Sequence, residues 1–258
     1  SEQTGTNGGL AYGGSSNSNG MTNFADQFSQ NVLAISSNTV YWNFRRAPSF
    51  FDEVCYTGTG SVTTFNHNLG VAPELMIIKG RNNNGSAGTL YWGVYVASLG
   101  ATKYLQLQST AAVGTGASYW NNTDPTASVF TVGASNVTVN GSGNNYVAYL
   151  FATCPGVSKV GSYTGTGSTQ TINCGFGSSG ARFLLIKRTD ATGNWYVWDS
   201  ANGLISTTDP YMLWNSTAPQ SASTSNGVYA ASTGFTVTST ASSTVNVNGG
   251  TFIVLAIA

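Results

Sequence analysis

The chain has 258 residues and a formal net charge of zero, and only 7% of its residues are charged, against roughly 25% in an ordinary soluble protein. With no basic cluster beyond Arg45–Arg46, the sequence excludes the positive surface of a nucleic-acid-binding protein. It also has no apolar run of about 18 residues, so we expect no membrane insertion. Because 41% of the residues are hydrophobic, we expect a folded chain whose surface is built from Ser, Thr, Asn, Gln and Gly.

The first segment, residues 1–47, differs from the rest in composition. Residues 1–23 are rich in Gly, Ser and Asn, which is typical of a flexible or surface-laid segment. Asn38–Phe44 stands ahead of Pro48 as Asn145–Phe151 stands ahead of Pro155. We therefore predict that the end of this segment is the closing strand of an incomplete preceding repeat.

Two stretches of the chain have nearly the same sequence. Arg46–Ser61 reads RAPSFFDEVCYTGTGS, and Cys154–Ser168 reads CPGVSKVGSYTGTGS, with matching residues 107 positions apart. This repetition predicts two domains, repeat 1 at residues 48–154 and repeat 2 at residues 155–258. The Gly-rich TGTGS motif has no Lys and no helix after it, so we interpret it as a turn between strands and not as a phosphate-binding loop. Pro48 and Pro155 are expected to end a strand and form the turn into the next repeat.

Short strand-like runs separated by Gly and Asn turns fill both repeats. Apolar runs predict buried strands, and alternation of apolar with polar residues predicts strands with one wet face. The main predicted strands are Val62–Phe65, Glu74–Lys79, Leu90–Val96, Lys103–Gln108, Val129–Val132, Val137–Asn140, Tyr146–Phe151, Phe183–Lys187, Trp195–Trp198, Tyr211–Trp214, Phe235–Thr238, Val245–Asn248 and Phe252–Ala258. The pattern predicts an all-β fold of tandem, jelly-roll-like β-sandwich domains with almost no helix. The apolar last strand should be central in its sheet, since an exposed edge of that kind aggregates.

The sequence contains no recognisable catalytic or metal-binding constellation. His67 is the only histidine, and we expect a turn residue hydrogen-bonded to the backbone. Asp52 and Glu53 are adjacent, so on a strand they point to opposite faces and are not expected to share a site. Metal binding at the turn 121–124, which ends in Asp124, is an alternative to the usual turn role of Asp. We predict a protein that is not an enzyme and that uses no metal and no cofactor.

Three cysteines are too few for a disulfide framework. We expect Cys55, Cys154 and Cys174 to be small buried residues. A bridge between Cys55 and Cys154, which lie near the first and last strands of repeat 1, is the alternative.

Aromatic side chains beside Asn, Thr and Asp are the remaining candidates for a binding surface. Packing in the core is expected for at least half of them, and the others are candidates for a protein–protein interface or for contact with a glycan. The candidates are Tyr91, Trp92, Tyr95, Tyr119, Trp120, Trp195, Tyr196, Trp198, Tyr211 and Trp214.

Several motifs in order resemble a repeated β domain of bacteriophage virion proteins, in particular tail-associated and fibre-like proteins of marine phages. They are RRAPSFFDEVCYTGTGS, HNLGVAPELMIIK, LGATKYLQL, SYWNNTDPTASVFTVG and YVAYLFA in repeat 1, and VGSYTGTGSTQTINCGF, ARFLLIKRTDATGNWYVWDS, FTVTS, VNVNGG and FIVLAIA in repeat 2. The resemblance covers roughly residues 38–258 and carries no catalytic residues. It implies a structural virion component.

The resemblance implies a protein on the surface of an extracellular virion. The expected function is a tail-fibre or tail-associated module for host attachment and particle assembly. The expected partners are other virion proteins, further copies of the same chain in a homo-oligomer (a trimer), and a host-surface glycan. A capsid-surface decoration protein is the first alternative. A glycan-degrading depolymerase is the second, and it requires two carboxylates converging in a cleft.

Overall fold

The computed structural model describes residues 9–10, 42–82, 89–134, 136–178, 180–204, 209–221 and 227–258, and the fold is antiparallel β throughout. Ahead of repeat 1 lie β1 (Gly9–Leu10) and β2 (Trp42–Asn43). Repeat 1 contains β3 (Phe51–Thr57), β4 (Thr63–Asn66), β5 (Leu75–Gly80), β6 (Trp92–Val96), β7 (Lys103–Gln106), β8 (Gly114–Thr115), α1 (Ala117–Trp120), β9 (Val129–Val132), α2 (Val137–Asn140) and β10 (Asn145–Phe151). Repeat 2 contains β11 (Ser158–Thr164), β12 (Gln170–Asn173), β13 (Phe183–Arg188), β14 (Trp195–Asp199), β15 (Met212–Leu213), β16 (Val228–Ala231), β17 (Gly234–Val237), a 3-10 helix (Ser239–Ala241) and β18 (Thr251–Ile257).

Each repeat is a sandwich of one large and one small sheet. In repeat 1 the large sheet has the order β3-β10-β5-β6-β7-β8 and the small sheet pairs β4 with β9. In repeat 2 the large sheet has the order β11-β18-β13-β14-β15 and the small sheet the order β12-β17-β16. The predicted all-β sandwich fold is confirmed. The last strand of each repeat, β10 or β18, lies between two partners, as predicted for β18 from its apolar sequence.

The central strands of the large sheets are buried on both faces. In β5, Leu75 and Ile77 face one core while Met76 and Ile78 face another. In β18, Ile253 and Leu255 face the same core as Leu75 and Ile77, while Phe252 and Val254 face a third core. Because neighbouring side chains on a strand point to opposite faces, burial of both faces requires an unbroken apolar run. The sequences LMII and FIVLA meet that requirement.

The two sandwiches pack together through their large sheets, so four sheets form one stack. The core between the repeats is a cluster of side chains from both large sheets: Phe44, Phe51, Leu75, Ile77, Val94, Val96, Leu105, Leu107, Val147, Tyr149 and Phe151, together with Val160, Phe183, Leu185, Trp195, Val197, Trp214, Ile253 and Leu255. We call this cluster the shared core. Each repeat also has its own core, between its large and small sheets.

Hydrogen bonds also join the repeats, along residues 106–113 of repeat 1. The Trp195 indole N–H donates to the Gln106 carbonyl oxygen at 3.0 Å. The Gly193 amide donates to the Thr110 carbonyl oxygen at 2.9 Å, and the Val113 amide donates to that of Thr189 at 3.0 Å. The repeats are therefore held together by backbone pairing as well as by apolar packing.

The proline turns that open the repeats have the same geometry. The Phe50 amide donates to the Ala47 carbonyl oxygen at 3.1 Å, and the Val157 amide donates to that of Cys154 at 2.9 Å. The residue after each proline has a positive φ, 60° at Ser49 and 75° at Gly156, as a type II turn requires. The prediction that proline forms the turn into each repeat is confirmed.

The segment ahead of repeat 1 differs from the predicted closing strand. Residues 38–41 of Asn38–Phe44 lie outside the described residues, and Trp42–Asn43 pairs with Gly9–Leu10 in a two-stranded ladder. A closing strand lies between two partners, as β10 does, so the described part does not take that place. Phe44 instead packs against Phe151 and Phe183, with ring centroids 5.5 and 5.8 Å away, and so belongs to the shared core.

Two predicted strands are wrong. Val137–Asn140 is the short helix α2, and Val245–Asn248 is turn and irregular structure. Val139 and Asn140 are both fully buried although they are neighbours, which a strand facing one core does not allow. The Asn136 carboxamide also accepts from the Thr138 amide at 2.9 Å and caps the helix.

Candidate functional site

A buried asparagine in each repeat binds the TGTGS turn. In repeat 1 the turn connects β3 to β4, as predicted, and the Asn140 carboxamide lies inside it. Asn140 Oδ1 accepts from the Thr59 amide at 2.8 Å, while Nδ2 donates to the carbonyl oxygens of Ser61 at 2.6 Å and Gly133 at 2.8 Å. An added Cβ at Gly58 would collide with the Gly141 carbonyl oxygen. The motif is therefore structural, and we call the TGTGS turn together with its bound asparagine an asparagine clamp.

Repeat 2 has the same clamp around Asn246. Its Oδ1 accepts from the Thr166 amide at 3.0 Å, and its Nδ2 donates to the carbonyl oxygens of Ser168 at 2.7 Å and Thr238 at 3.0 Å. Sequence reasoning missed both asparagines. The signal was the shared Thr-Val-Asn tripeptide at 138–140 and 244–246, which was assigned to strands.

His67 is hydrogen-bonded to the backbone, as predicted, and it is also buried. Its Nδ1 accepts from the Leu69 amide at 3.3 Å, which places the ring proton on Nε2, and Nε2 donates to the Thr126 carbonyl oxygen at 3.1 Å. Both ring nitrogens are used by the backbone, so the residue holds two loops together.

Six of the seven acidic residues in the described part of the chain accept a hydrogen bond from a backbone amide. The donors are the amides of Asn68 to Asp52 (2.7 Å), Thr153 to Glu74 (2.6 Å), Ala101 to Asp124 (2.9 Å), Thr251 to Asp190 (2.9 Å), Asn202 to Asp199 (2.9 Å), and Gly227 and Val228 to Asp209 (2.9 and 3.1 Å). Asp124 also accepts from the Tyr95 hydroxyl at 3.0 Å. Within the described ranges no three His, Cys, Asp or Glu residues are grouped as metal ligands. These carboxylates stabilise loops.

The three cysteines are free, and only Cys174 is buried. The prediction of burial is therefore confirmed for Cys174 and wrong for Cys55, which is exposed, and for Cys154, which is partly exposed. The alternative Cys55–Cys154 bridge is not formed. Cys55 Sγ lies 3.8 Å from Glu53 Oε1 and 3.7 Å from an Arg81 nitrogen. Although the residue is exposed, desolvation of the sulfur by its neighbours raises the pKa of the Cys55 thiol, and the negative charge of Glu53 raises it further, so the thiol is protonated near neutral pH.

Six of the ten aromatic candidates are buried. Tyr95, Tyr119 and Trp120 pack in the core of repeat 1, Trp198 packs in that of repeat 2, and Trp195 and Trp214 lie in the shared core. These six are covered within the chain and are not accessible to a glycan. The prediction of an external interface or a glycan surface remains for the four partly exposed residues, Tyr91, Trp92, Tyr196 and Tyr211.

The partly exposed aromatic residues of repeat 2 form a corner. The Tyr196 ring is stacked on Trp198, with centroids 5.6 Å apart and planes at 17°. Tyr211 stands edge-on to Tyr196, at 5.2 Å and 65°. The buried Trp198 indole N–H has no hydrogen-bond partner in the described structure. We call Tyr196, Trp198 and Tyr211 the aromatic corner.

Asparagine amides lie next to the aromatic corner. Asn194 precedes β14, Asn215 follows β15, and a 2.8 Å hydrogen bond joins their side chains. Asn215 also accepts from the Trp195 amide at 2.7 Å, so its position is set by the strand. The corner thus combines two partly exposed rings with nearby hydrogen-bonding groups.

In repeat 1 the exposed aromatic residues lie beside a lysine. Tyr91 is 41% exposed, and Lys79 Nζ lies 5.3 Å from the centre of the Trp92 ring, within the range of a cation–π interaction. Lys79 also donates to the Leu90 carbonyl oxygen at 2.6 Å. The lysine of this site is already hydrogen-bonded to the backbone.

The fold defines a class of protein in which two all-β sandwiches pack into one unit. An asparagine holds the TGTGS turn of each sandwich, and the aromatic corner is the candidate binding site. The chain belongs to the DUF7483 family, described as a domain of unknown function, whose sequence model matches residues 14–258. No significant match was found among curated proteins or among solved structures. Among the described residues there is no helix long and apolar enough to cross a membrane.

Proposed function

We propose that this chain is a non-enzymatic structural module of a bacteriophage virion that serves particle assembly and attachment to the host, in a tail fibre or a tail-associated position. The resemblance of both repeats to virion domains suggests this class of function. The observation that carries the proposal is the shared core, because it packs two sandwiches into one unit. A packed unit with few charges suits a structural part on a particle surface.

The polar residues of the described structure support a non-catalytic role. Acid–base catalysis requires a carboxyl or imidazole group with an atom available to the substrate. Here six carboxylates and both nitrogens of His67 are engaged with the backbone. The depolymerase alternative gains no support from them.

We further propose that the aromatic corner contacts a host-surface glycan. The exposed parts of Tyr196 and Tyr211 offer two ring surfaces at a steep angle, one of which can stack on the apolar face of a sugar ring. The amides of Asn194 and Asn215 offer hydrogen bonds to hydroxyl groups. Since the corner is neutral, the ligand class is an uncharged glycan.

Binding of purified protein to host cells and to immobilised glycans tests the attachment surface. The double variant Tyr196→Leu, Tyr211→Leu should lose about fivefold in affinity, because stacking on an aromatic ring is worth about 1 kcal/mol. Tyr229→Leu is the matched control, since Tyr229 lies on the other face of β16 from the core residue Val228. Unchanged binding by the double variant, with unchanged stability, would reject the aromatic corner as the glycan site.

Membership of a virion is tested separately, by mass spectrometry and immunogold labelling of purified particles. The mass in solution, measured by light scattering, then distinguishes the two particle roles. A trimer, about three times 26.8 kDa, is expected for a fibre-type module. A monomer that binds capsids and no glycan would instead favour the decoration protein, and absence from particles would reject the proposal.

A further inference from the structure

A fully buried lysine, Lys187, lies at the junction between the repeats. It follows Phe183 and Leu185 on the face of β13 that forms the shared core. Its Nζ donates to the Gly193 carbonyl oxygen at 2.9 Å, within repeat 2, and to the Thr110 carbonyl oxygen at 3.2 Å, in repeat 1. The amine therefore bridges the two repeats.

No acidic side chain of the described structure pairs with Lys187. The stretch that faces it, residues 106–113, carries no ionisable side chain, and its cross-strand neighbours are Trp195 and Ile253. The nearby charged groups are Arg188 and Asp190, which pair with each other at 2.8 Å. Burial lowers the pKa of Lys187 to about 8, with a further lowering by Arg188 that Asp190 opposes.

The equivalent lysine of repeat 1 is placed differently. Lys79 pairs across the strands with Trp92 as Lys187 pairs with Trp195. Lys79 is only partly buried, and its Nζ donates to Leu90 in its own repeat. Lys79 is therefore a matched control for Lys187. It has the same position in its repeat, but its hydrogen bond to Leu90 stays within that repeat.

We propose that Lys187 makes the junction between the repeats sensitive to pH, so that the junction opens more readily when the amine is protonated and holds more tightly when it is neutral. A neutral amine can still donate to the carbonyl oxygens of Gly193 and Thr110, but it does not carry the cost of burying a charge. Opening moves residues 106–113 away from β13 and β14 and gives the amine access to water.

The direction of the pH effect follows from linkage. In the closed junction the pKa of Lys187 is about 8, and in an open junction it returns toward 10.5. The closed form therefore binds fewer protons, and its stability rises as the pH rises from about 8 toward 10.5. From pH 9 to pH 7 the opening constant should increase by about tenfold and then level off, because below pH 7 the amine is protonated in both forms.

Amide hydrogen exchange on the full chain measures this opening. The amides of Val113 and Gly193 report it directly, because each donates across the junction. After correction for the intrinsic exchange rate at each pH, their protection should fall by about tenfold between pH 9 and pH 7. Amides of the β4–β9 pair, which lies in the small sheet of repeat 1, should not change in this range.

Substitution of Lys187 separates this effect from other titrations. In Lys187→Met, protection of Val113 and Gly193 should be high and independent of pH, whereas Lys79→Met should behave as the wild type. In Lys187→Arg the side chain stays charged, so protection should be low at both pH values. An identical pH profile in the wild type and in Lys187→Met would overturn the proposal. If Lys187→Met does not fold, a wild type with no change between pH 9 and pH 7 would overturn it equally.

Discussion

The large sheets of repeat 1 and repeat 2 begin with the same arrangement of four strands, but the face turned away from the shared core is covered differently in the two repeats. In both, the closing strand lies between the first and third strands, a buried asparagine clamps the TGTGS turn, and a lysine pairs across the strands with a tryptophan. In repeat 1 that face is covered by a two-stranded sheet and by the helices α1 and α2. In repeat 2 the cover is a three-stranded sheet, to which β16 adds a strand.

One position in the sheet explains much of this difference. Gly93 in β6 corresponds to Tyr196 in β14, since each follows the tryptophan of its strand. A Cβ at Gly93 would lie 2.7 Å from Val139, so glycine is needed for α2 to pack on the sheet. In repeat 2 a tyrosine stands at this position, and its ring is part of the aromatic corner. The loss of one close helix contact thus accompanies the gain of an aromatic surface.

The largest difference in stability between equivalent substitutions is expected at Trp195 of repeat 2 and Trp92 of repeat 1. Trp195→Ala removes a fully buried ring from the shared core together with its hydrogen bond to Gln106, and should destabilise the protein by about 4 kcal/mol. Trp92→Ala, at a partly exposed position, should cost about 1 kcal/mol. Denaturant unfolding of both variants measures the difference. Equal losses would mean that the shared core contributes little to stability.

The two asparagine clamps should respond alike. Asn140→Ala and Asn246→Ala each remove a buried carboxamide and its three hydrogen bonds to the backbone, two to carbonyl oxygens and one to an amide, which should cost about 3 kcal/mol in the free energy of unfolding. Asn248→Ala is the control, because Asn248 is exposed, and its effect should stay below about 0.5 kcal/mol. Urea unfolding curves decide this, and a control as damaging as the clamp variants would contradict the assignment.

The smallest effect is expected at the proline turns. Gly156→Ala places a Cβ at a φ of 75° with no neighbouring atom within 4 Å, so the loss of about 1 kcal/mol is purely a backbone effect. In repeat 1 the same position is Ser49, at a φ of 60°. Ser49→Gly relieves that strain but makes the unfolded chain more flexible, and should change stability by less than about 0.5 kcal/mol. Thermal unfolding of both variants tests whether the two turns are equivalent. If Ser49→Gly lost as much stability as Gly156→Ala, glycine would be unfavourable in one turn and favourable in the other, and the turns would not be equivalent.

Much of the fold was predictable because the relevant interactions are local or periodic. The identity of TGTGS and the prolines marked the repeats, and the apolar run Phe252–Ala258 placed the last strand at the centre of its sheet. The short Val-rich stretches Val137–Asn140 and Val245–Asn248 misled the strand assignment. Their alternation suits a strand, but the demand of two buried carboxamides for backbone partners outweighs that preference.

The candidate site was less predictable from the residues alone. Sequence reasoning grouped ten aromatic residues as surface candidates, and the fold buries six of them. The rings of Trp195 and Trp214 have the chemistry of a binding surface, and they do lie at an interface, but it is the one between the repeats. Which rings remain partly exposed depends on the packing of strands far apart in the chain.

The sequence by itself determined the repeats, the β class, the turns and the burial of the central strands on both faces, because strand periodicity and turn chemistry act between near neighbours. Only the tertiary structure decided what covers the second face of the large sheets. An apolar residue is stabilised by any apolar partner of suitable shape, so the pattern that demands a partner does not identify it. The identity of that partner, the other repeat, is also what buries Lys187 beside Thr110.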